Sequence, residues 1–219
     1  TNNILSNIWQ KSRILIKGLL ITAITLLLLI PTISIQNIIT EREERQKEAF
    51  NEVSGRWAGR QHITGPVLVL PYRDASTGVK QLAYFLPDQL DIQSTVTPEE
   101  RHRGIFQVML YSASVKLRGK FDKLPLAALR IDTADVYWQE AYICLGLADA
   151  KGLKEETKLN WNGSQVLLEP TRTDNAVMKE GFAAPVSVSA DGAIVFDGNI
   201  RLNGSEQLLF TPVGKETRV

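Results

Sequence analysis

The 219 residues include 25 basic and 24 acidic side chains, a formal net charge of +1. That balance gives no electrostatic footprint for nucleic acid, and the length is ample for one domain with a real core. A single cysteine, Cys144, excludes an internal disulfide and cannot build a zinc site alone; in the apolar run AYICLGL it reads as a small core residue.

Charge is unevenly spread. All the acids lie beyond residue 40, and Lys11, Arg13 and Lys17 are the basic residues before it. From Gly18 to Ile39 no residue is charged. As a helix at about 1.5 Å per residue this run reaches about 33 Å, enough for a hydrocarbon core about 30 Å thick. It exceeds the roughly 7–15 residues of a signal-peptide apolar region, and IPTISIQNII offers bulky residues where a cleavage site needs small ones. The expectation is a retained membrane-spanning helix, with Pro31 tolerated because neighbouring groups re-satisfy the freed carbonyl. Lys11, Arg13 and Lys17 form a positive flank and EREER, Glu41 to Arg45, a net negative one. Positive-inside bias then places the N-terminus in the cytoplasm and residues beyond about 40 outside, with Trp9 as an interfacial aromatic on the inner side.

The next stretch, TEREERQKEAFNEVSGRW, is charged and rich in helix formers, so a helix is expected to continue out of the membrane. Ala49, Phe50 and Val53 give it a short apolar stripe, and Gly55 and Gly59 are its stop signals. It is either a stalk or a helix packed on the outer domain. The expected organisation is a cytoplasmic tail and anchor over 1–40, a juxtamembrane helix over 41–60, and an extracytoplasmic β-rich domain over 61–219.

From about Ile63 the texture is that of strands. GPVLVLPY is a β-branched and leucine run bounded by Pro66 and Pro71, and VKQLAYFLP repeats the pattern. After a polar break, TPEERHRG, comes IFQVMLYSASVKLRGKFD, where Val115, Leu117 and Phe121 alternate with Lys116, Arg118 and Lys120. FDKLPLAALRI predicts a brief helical turn. The runs DVYWQEAYICLGL, LNWNGSQVLLE, AIVFDGNIRL and EQLLFTPV read as further strands. Asn162-Gly163, Asp191-Gly192, Asp197-Gly198 and Asn203-Gly204 are dipeptides favoured in tight hairpin turns. Together these predict a mainly β fold, an antiparallel β-sandwich or an open β-roll behind one N-terminal transmembrane helix. EQLLFTPV predicts a strand whose next neighbour lies beyond Val219.

In order along the chain, the basic-flanked anchor, GPVLVLPY, FLPDQLDI, EERHRGIFQV, KLRGKFD, LADAKGL and LNGSEQLLFTPVGKETRV resemble the CreD family of bacterial inner-membrane proteins. The resemblance implies a periplasmic β-rich domain, further membrane helices C-terminal to it, and roles in cell-envelope integrity, colicin tolerance and a two-component regulon tied to β-lactam response. It implies no enzymatic activity. In LADAKGL, Lys151 stands where the family's D-x-R-G turn has arginine, so that turn, of unknown role, is carried over at Asp149 and Gly152 only.

Catalytic signatures are missing: there is no G-x-S-x-G elbow, H-E-x-x-H, P-loop or G-x-G-x-x-G. His62 and His102 are far apart in sequence and read as solvent-facing loop residues, so neither a metal nor a cofactor is expected. The two N-G-S triplets, at 162–164 and 203–205, read as turns rather than glycosylation sites. Asp132 and Asp135 read as solvated acids flanking a strand start. Glu99, Glu100, Arg101 and Arg103 read as a mixed-charge surface loop. Three functional classes remain: a structural or interaction protein of the envelope, which leads; a membrane-anchored lipid-handling β-module; and an envelope enzyme, which needs perturbed acids clustered in a pocket. The expected partners are the lipid bilayer and other envelope proteins or lipids.

Overall fold

The computed structural model describes residues 2–171, 181–189 and 192–219, without the side chains of 2–14, 29, 30, 32–34 and 56. They divide into two compact units, 1–50 and 51–219.

Helix α1 runs from Asn2 to Trp57 with Pro31 inside it. Within the first unit, Leu19, Leu20, Ile24 and Leu27 are exposed. The polar residues among them turn inward: Thr22 and Thr25 donate their hydroxyls to the carbonyls of Gly18 and Ile21, each at 2.9 Å. Such bonding to the preceding turn hides a hydroxyl on an otherwise apolar helix. Among the described residues no helix is long and apolar enough to cross a membrane. Lys11, Arg13 and Trp9 lie outside the described side chains, and Lys17 is exposed. The charged stretch after the run is helical, with Arg45 and Glu41 paired at 2.7 Å one turn apart. Gly55 lies inside the helix, which ends at Trp57, two residues before Gly59.

The second unit is mainly β. Its strands are β1 (Gln61–Arg73), β2 (Lys80–Phe85), β3 (Gln89–Arg103), β4 (Phe106–Phe121), β5 (Tyr142–Leu147), β6 (Thr157–Trp161), β7 (Ser164–Thr171), β8 (Gly181–Pro185), β9 (Ile194–Ser205), β10 (Leu208–Thr211) and β11 (Glu216–Arg218). They join in one sheet of order β10-β1-β5-β8-β7-β6-β9-β4-β3-β11, with β2 added to β1. Pairing is antiparallel except at the two ends, where β10 lies parallel to β1 and β11 parallel to β3. Short 3-10 turns at Ala127–Leu129, Thr133–Asp135 and Trp138–Glu140 connect β4 to β5. The first is the helical turn expected in FDKLPLAALRI.

One core joins both halves of the sheet, with Leu68 and Leu70 from β1, Ile143 and Leu145 from β5, Leu117 from β4, and Ile200 and Leu202 from β9. The alternation read along β4 is real: Val115, Leu117 and Phe121 are buried, and Lys116 and Arg118 are exposed. Phe121 packs on Trp161 and Phe196 with ring centres 5.8 and 5.6 Å away. Gly119, between them in the KLRGKFD run, leaves the space this cluster needs, because a Cβ there would lie 2.5 Å from the Phe196 ring.

Several sequence expectations are corrected. TPEERHRG is not a break: residues 97–103 belong to β3, and only Gly104, at φ +60, begins the turn into β4. Beyond Asp91, β3 has β4 on one side and, among the described residues, no strand on the other. A proline and a run of charges protect such an edge from further pairing, and they imitate a loop. Glu99, Glu100, Arg101 and Arg103 are therefore edge-strand residues. His62 and His102 are exposed as expected, but on β1 and β3 rather than on loops. Asp197-Gly198 and Asn203-Gly204 lie inside β9 and make no turn. Their glycines answer a need for space: a Cβ on Gly198 would meet Leu159 at 2.9 Å, and one on Gly204 would meet the Tyr111 hydroxyl at 2.2 Å. Asn162-Gly163 does form the β6–β7 hairpin, both residues at positive φ (48° and 83°) as a type I′ turn requires. Asp191 lies outside the described residues. Asp132 caps, and Asp135 ends, the 3-10 turn Thr133–Asp135.

Candidate functional site

The motifs that give the sequence its character converge at two junctions. At the first, Asp149 caps the 3-10 turn Ala150–Gly152 by accepting from the Lys151 N–H at 3.0 Å. Its other carboxylate oxygen accepts from the Gly59 N–H, also at 3.0 Å. The fully buried Gln61 donates from Nε2 to the carbonyls of Asp149 (3.1 Å) and Asn203 (3.0 Å). Gly152 lies directly against this amide, with no room for a Cβ: the added atom would stand 2.3 Å from Gln61 Nε2 and 2.4 Å from the Asn203 oxygen. Gln61 Oε1 is buried without a partner among the described residues. Alongside, Tyr111 donates its hydroxyl to the Gln207 carbonyl at 2.6 Å. Burial pushes its phenol up to about 12, against a smaller opposing effect of the Gln61 backbone hydrogen bond. The Trp57 indole donates to the Tyr111 carbonyl at 3.3 Å. This junction fastens the chain at residues 57–61 to the 149–152 turn and to the end of β9.

The second junction gathers FLPDQLDI, KLRGKFD and TPVGKETRV. Asp88 accepts from the Asp122 N–H at 2.7 Å and pairs with Lys215. Burial alone would raise the Asp88 carboxyl, but Lys215, the Asp122 N–H and the charge of Lys120 together hold it below the usual range. Lys215 is correspondingly raised by Asp88. Backbone bonds from Lys215 N to Pro87 O and from Glu216 N to Asp88 O, at 3.0 and 3.1 Å, seat β11 beside β3.

The nearest approach to catalytic chemistry is one the sequence did not disclose. Lys154 donates to Ser112 Oγ at 2.8 Å, and Ser112 Oγ lies 2.7 Å from Glu99 Oε1 and 3.1 Å from Asn203 Oδ1. A serine nucleophile needs a desolvated base that accepts its proton. Here the lysine is exposed and is the donor, while the serine proton points to an oxygen acceptor, so the cluster is a cross-strand polar network. The other singled-out residues stay apart. His62 bonds the Thr211 hydroxyl at 2.7 Å, and His102 pairs with Glu100 at 3.0 Å. Asp135 pairs with Arg73, Asp132 caps its own turn, and Ser164 is exposed at the start of β7. Among the described residues no three His, Cys, Asp or Glu side chains converge as metal ligands would.

Inside the domain, a cavity of about 10 Å³ lies against Leu117, Ile143, Leu145, Leu159, Leu168 and Ile200. That barely reaches the volume of one water position and falls far below the roughly 300–1,000 Å³ of ligand pockets. An acyl chain does not fit there.

An N-terminal helix followed by a mainly β unit, knitted at its strand ends by its most distinctive residues, defines a helix-and-β-domain protein. The family described as Inner membrane protein CreD matches residues 13–219, and the chain belongs to that family. Over 155 residues it is 24% identical to Inner membrane protein CreD of Escherichia coli (strain K12), a match covering 66% of this chain and 34% of that protein. The matched region thus spans about a third of the relative's length. No solved structure matches.

Proposed function

We propose that residues 18–39 anchor this chain in the bacterial inner membrane, and that residues 61–219 work in the periplasm as a structural and interaction module of the cell envelope, without catalysis. The observation that carries the reading is the use of the family-like residues: Asp149, Gly152, Asp88 and Gly119 hold strands and turns together through hydrogen bonds and close packing. The anchor is supported by the uncharged run, its basic N-terminal flank and a family named for the inner membrane. Tethering holds the domain near envelope partners, an avidity effect that reaches roughly a hundredfold or more. Alkaline phosphatase fused near Gly59 is expected to be active and a fusion near Lys11 inactive. The opposite pattern overturns the topology. In the full-length natural protein, exchanging residues 1–40 for a cleavable signal should abolish tolerance to cell-wall antibiotics; unchanged tolerance overturns the need for tethering.

A further inference from the structure

The outward face of β4, β9 and β6 has a composition that neither junction explains. In register across the sheet, Lys116 stands opposite Asn199 and Asn199 opposite Lys158. One step along, Arg118, Asp197 and Asn160 form the next row on the same face. These six residues contribute to the lining of an open cleft of about 300 Å³. Several exposed cations elsewhere on the domain are matched: Arg73 pairs with Asp135, Lys80 with Glu140, Lys120 with Asp122, and Arg201 with Glu155. Among the described residues Lys116 and Arg118 pair with no carboxylate, and Lys158 reaches Glu156 only at 4.0 Å.

We propose that this cleft binds a carboxylate-bearing glycan strand of the envelope. The proposal rests on the periplasmic reading. Two strand spacings separate Lys116 from Lys158, about 10 Å between their backbones. Cations spread across these strands match anions spaced along a chain; because lysine stems are long and flexible, a single compact anion drawn in by both is the rival occupant, which triphosphate tests below. Asn160, Asn199 and the neighbouring Gln165 supply amide donors and acceptors for sugar hydroxyls. Asp197, at the centre and bonded to the Asn160 amide at 3.0 Å, repels an anion placed over β9 and leaves the flanking positions above the lysines. No aliphatic or aromatic side chain lies among these six, so the cleft offers nothing to an acyl tail.

The test uses the whole chain in detergent, with fluorescent alginate oligomers as a uronate-glycan probe, dextran oligomers of similar length as the neutral control and inorganic triphosphate as the compact anion. Alginate should bind in a salt-sensitive manner, with dextran and triphosphate much weaker. Lys116→Gln with Lys158→Gln should weaken alginate at least roughly fivefold, the scale of two exposed charge contacts. Both side chains are exposed, and an unchanged melting curve confirms the fold of the variant. Alginate binding no better than dextran, an undiminished affinity in the double variant, or triphosphate binding as tightly as alginate overturns the proposal. Failure of the topology itself is seen separately, in the phosphatase fusions.

Discussion

Gly152→Ala tests the first junction most sharply, because the glycine is there for space: its φ is not in the left-handed region, while the missing Cβ would overlap two polar atoms. The Asn203 oxygen belongs to the backbone of β9 and cannot turn aside, and the Gln61 amide is fully buried. Forcing a methyl into a packed site costs about 1–3 kcal/mol. Displacing Gln61 breaks its bonds to Asp149 and Asn203 and leaves a buried donor unmet, about 1–3 kcal/mol more. A total near 3 kcal/mol corresponds to a fall in Tm of about 6–12 °C for a domain of this size. Thermal unfolding of the detergent-solubilised chain, followed by tryptophan fluorescence, measures it. Gln61→Ala combined with Gly152→Ala should cost about 1 kcal/mol or more less than the sum of the two, since half of the overlap has been removed. A Gly152→Ala protein melting within about 2 °C of the parent, or a strictly additive pair, refutes the packing argument.

Asp88 should make the second junction sensitive to acid. Its folded carboxyl is depressed, so its contribution is complete above the ordinary value of 3.8 and is lost as pH falls through the lower folded value. Asp88→Asn should therefore flatten the acid limb of a stability-versus-pH curve, and an identical limb in parent and variant contradicts the assigned role. At the first junction, an ultraviolet titration of the folded protein should show one of its five tyrosines ionising only near pH 12, and Tyr111→Phe should remove that late step.

Much of the architecture was legible because a strand with one wet face writes its period into the sequence: Val115, Leu117 and Phe121 against Lys116 and Arg118 is such a record. The Asn162-Gly163 hairpin was legible for a similar reason, since few residues accept two consecutive positive φ angles. The far half of β3 was not, because the charges and proline that guard a sheet edge are those that mark a loop. Gly198 and Gly204 misled in the opposite sense: glycine after Asn or Asp suggests a turn, whereas these two admit Leu159 and Tyr111. Asp149 and Gly152 stood out as a motif, but their work depends on Gln61 and Asn203, which lie far from them in sequence. Ser112, Lys154 and Glu99 were invisible as a group because only sheet register and a turn further along the chain bring them together.

The two junctions stand at opposite ends of β4 and β9, where Tyr111 faces Gly204 across the strands at one end and Phe121 faces Ile194 at the other. Between them runs the outward face from Ser112 to Arg118. Damage at either end removes buried hydrogen bonds or overfills packed space, so it acts through the amount of folded protein, since a loss of about one or two kcal/mol changes abundance several-fold. Damage between the ends touches exposed side chains whose removal changes stability by roughly half a kcal/mol or less. The two regions therefore separate in one experiment that scores level and phenotype together. Substitutions at Asp149, Gly152 or Asp88 should lose phenotype in proportion to level. If the outward face meets a partner, Lys116, Arg118 and Lys158 are where phenotype should fall while level holds.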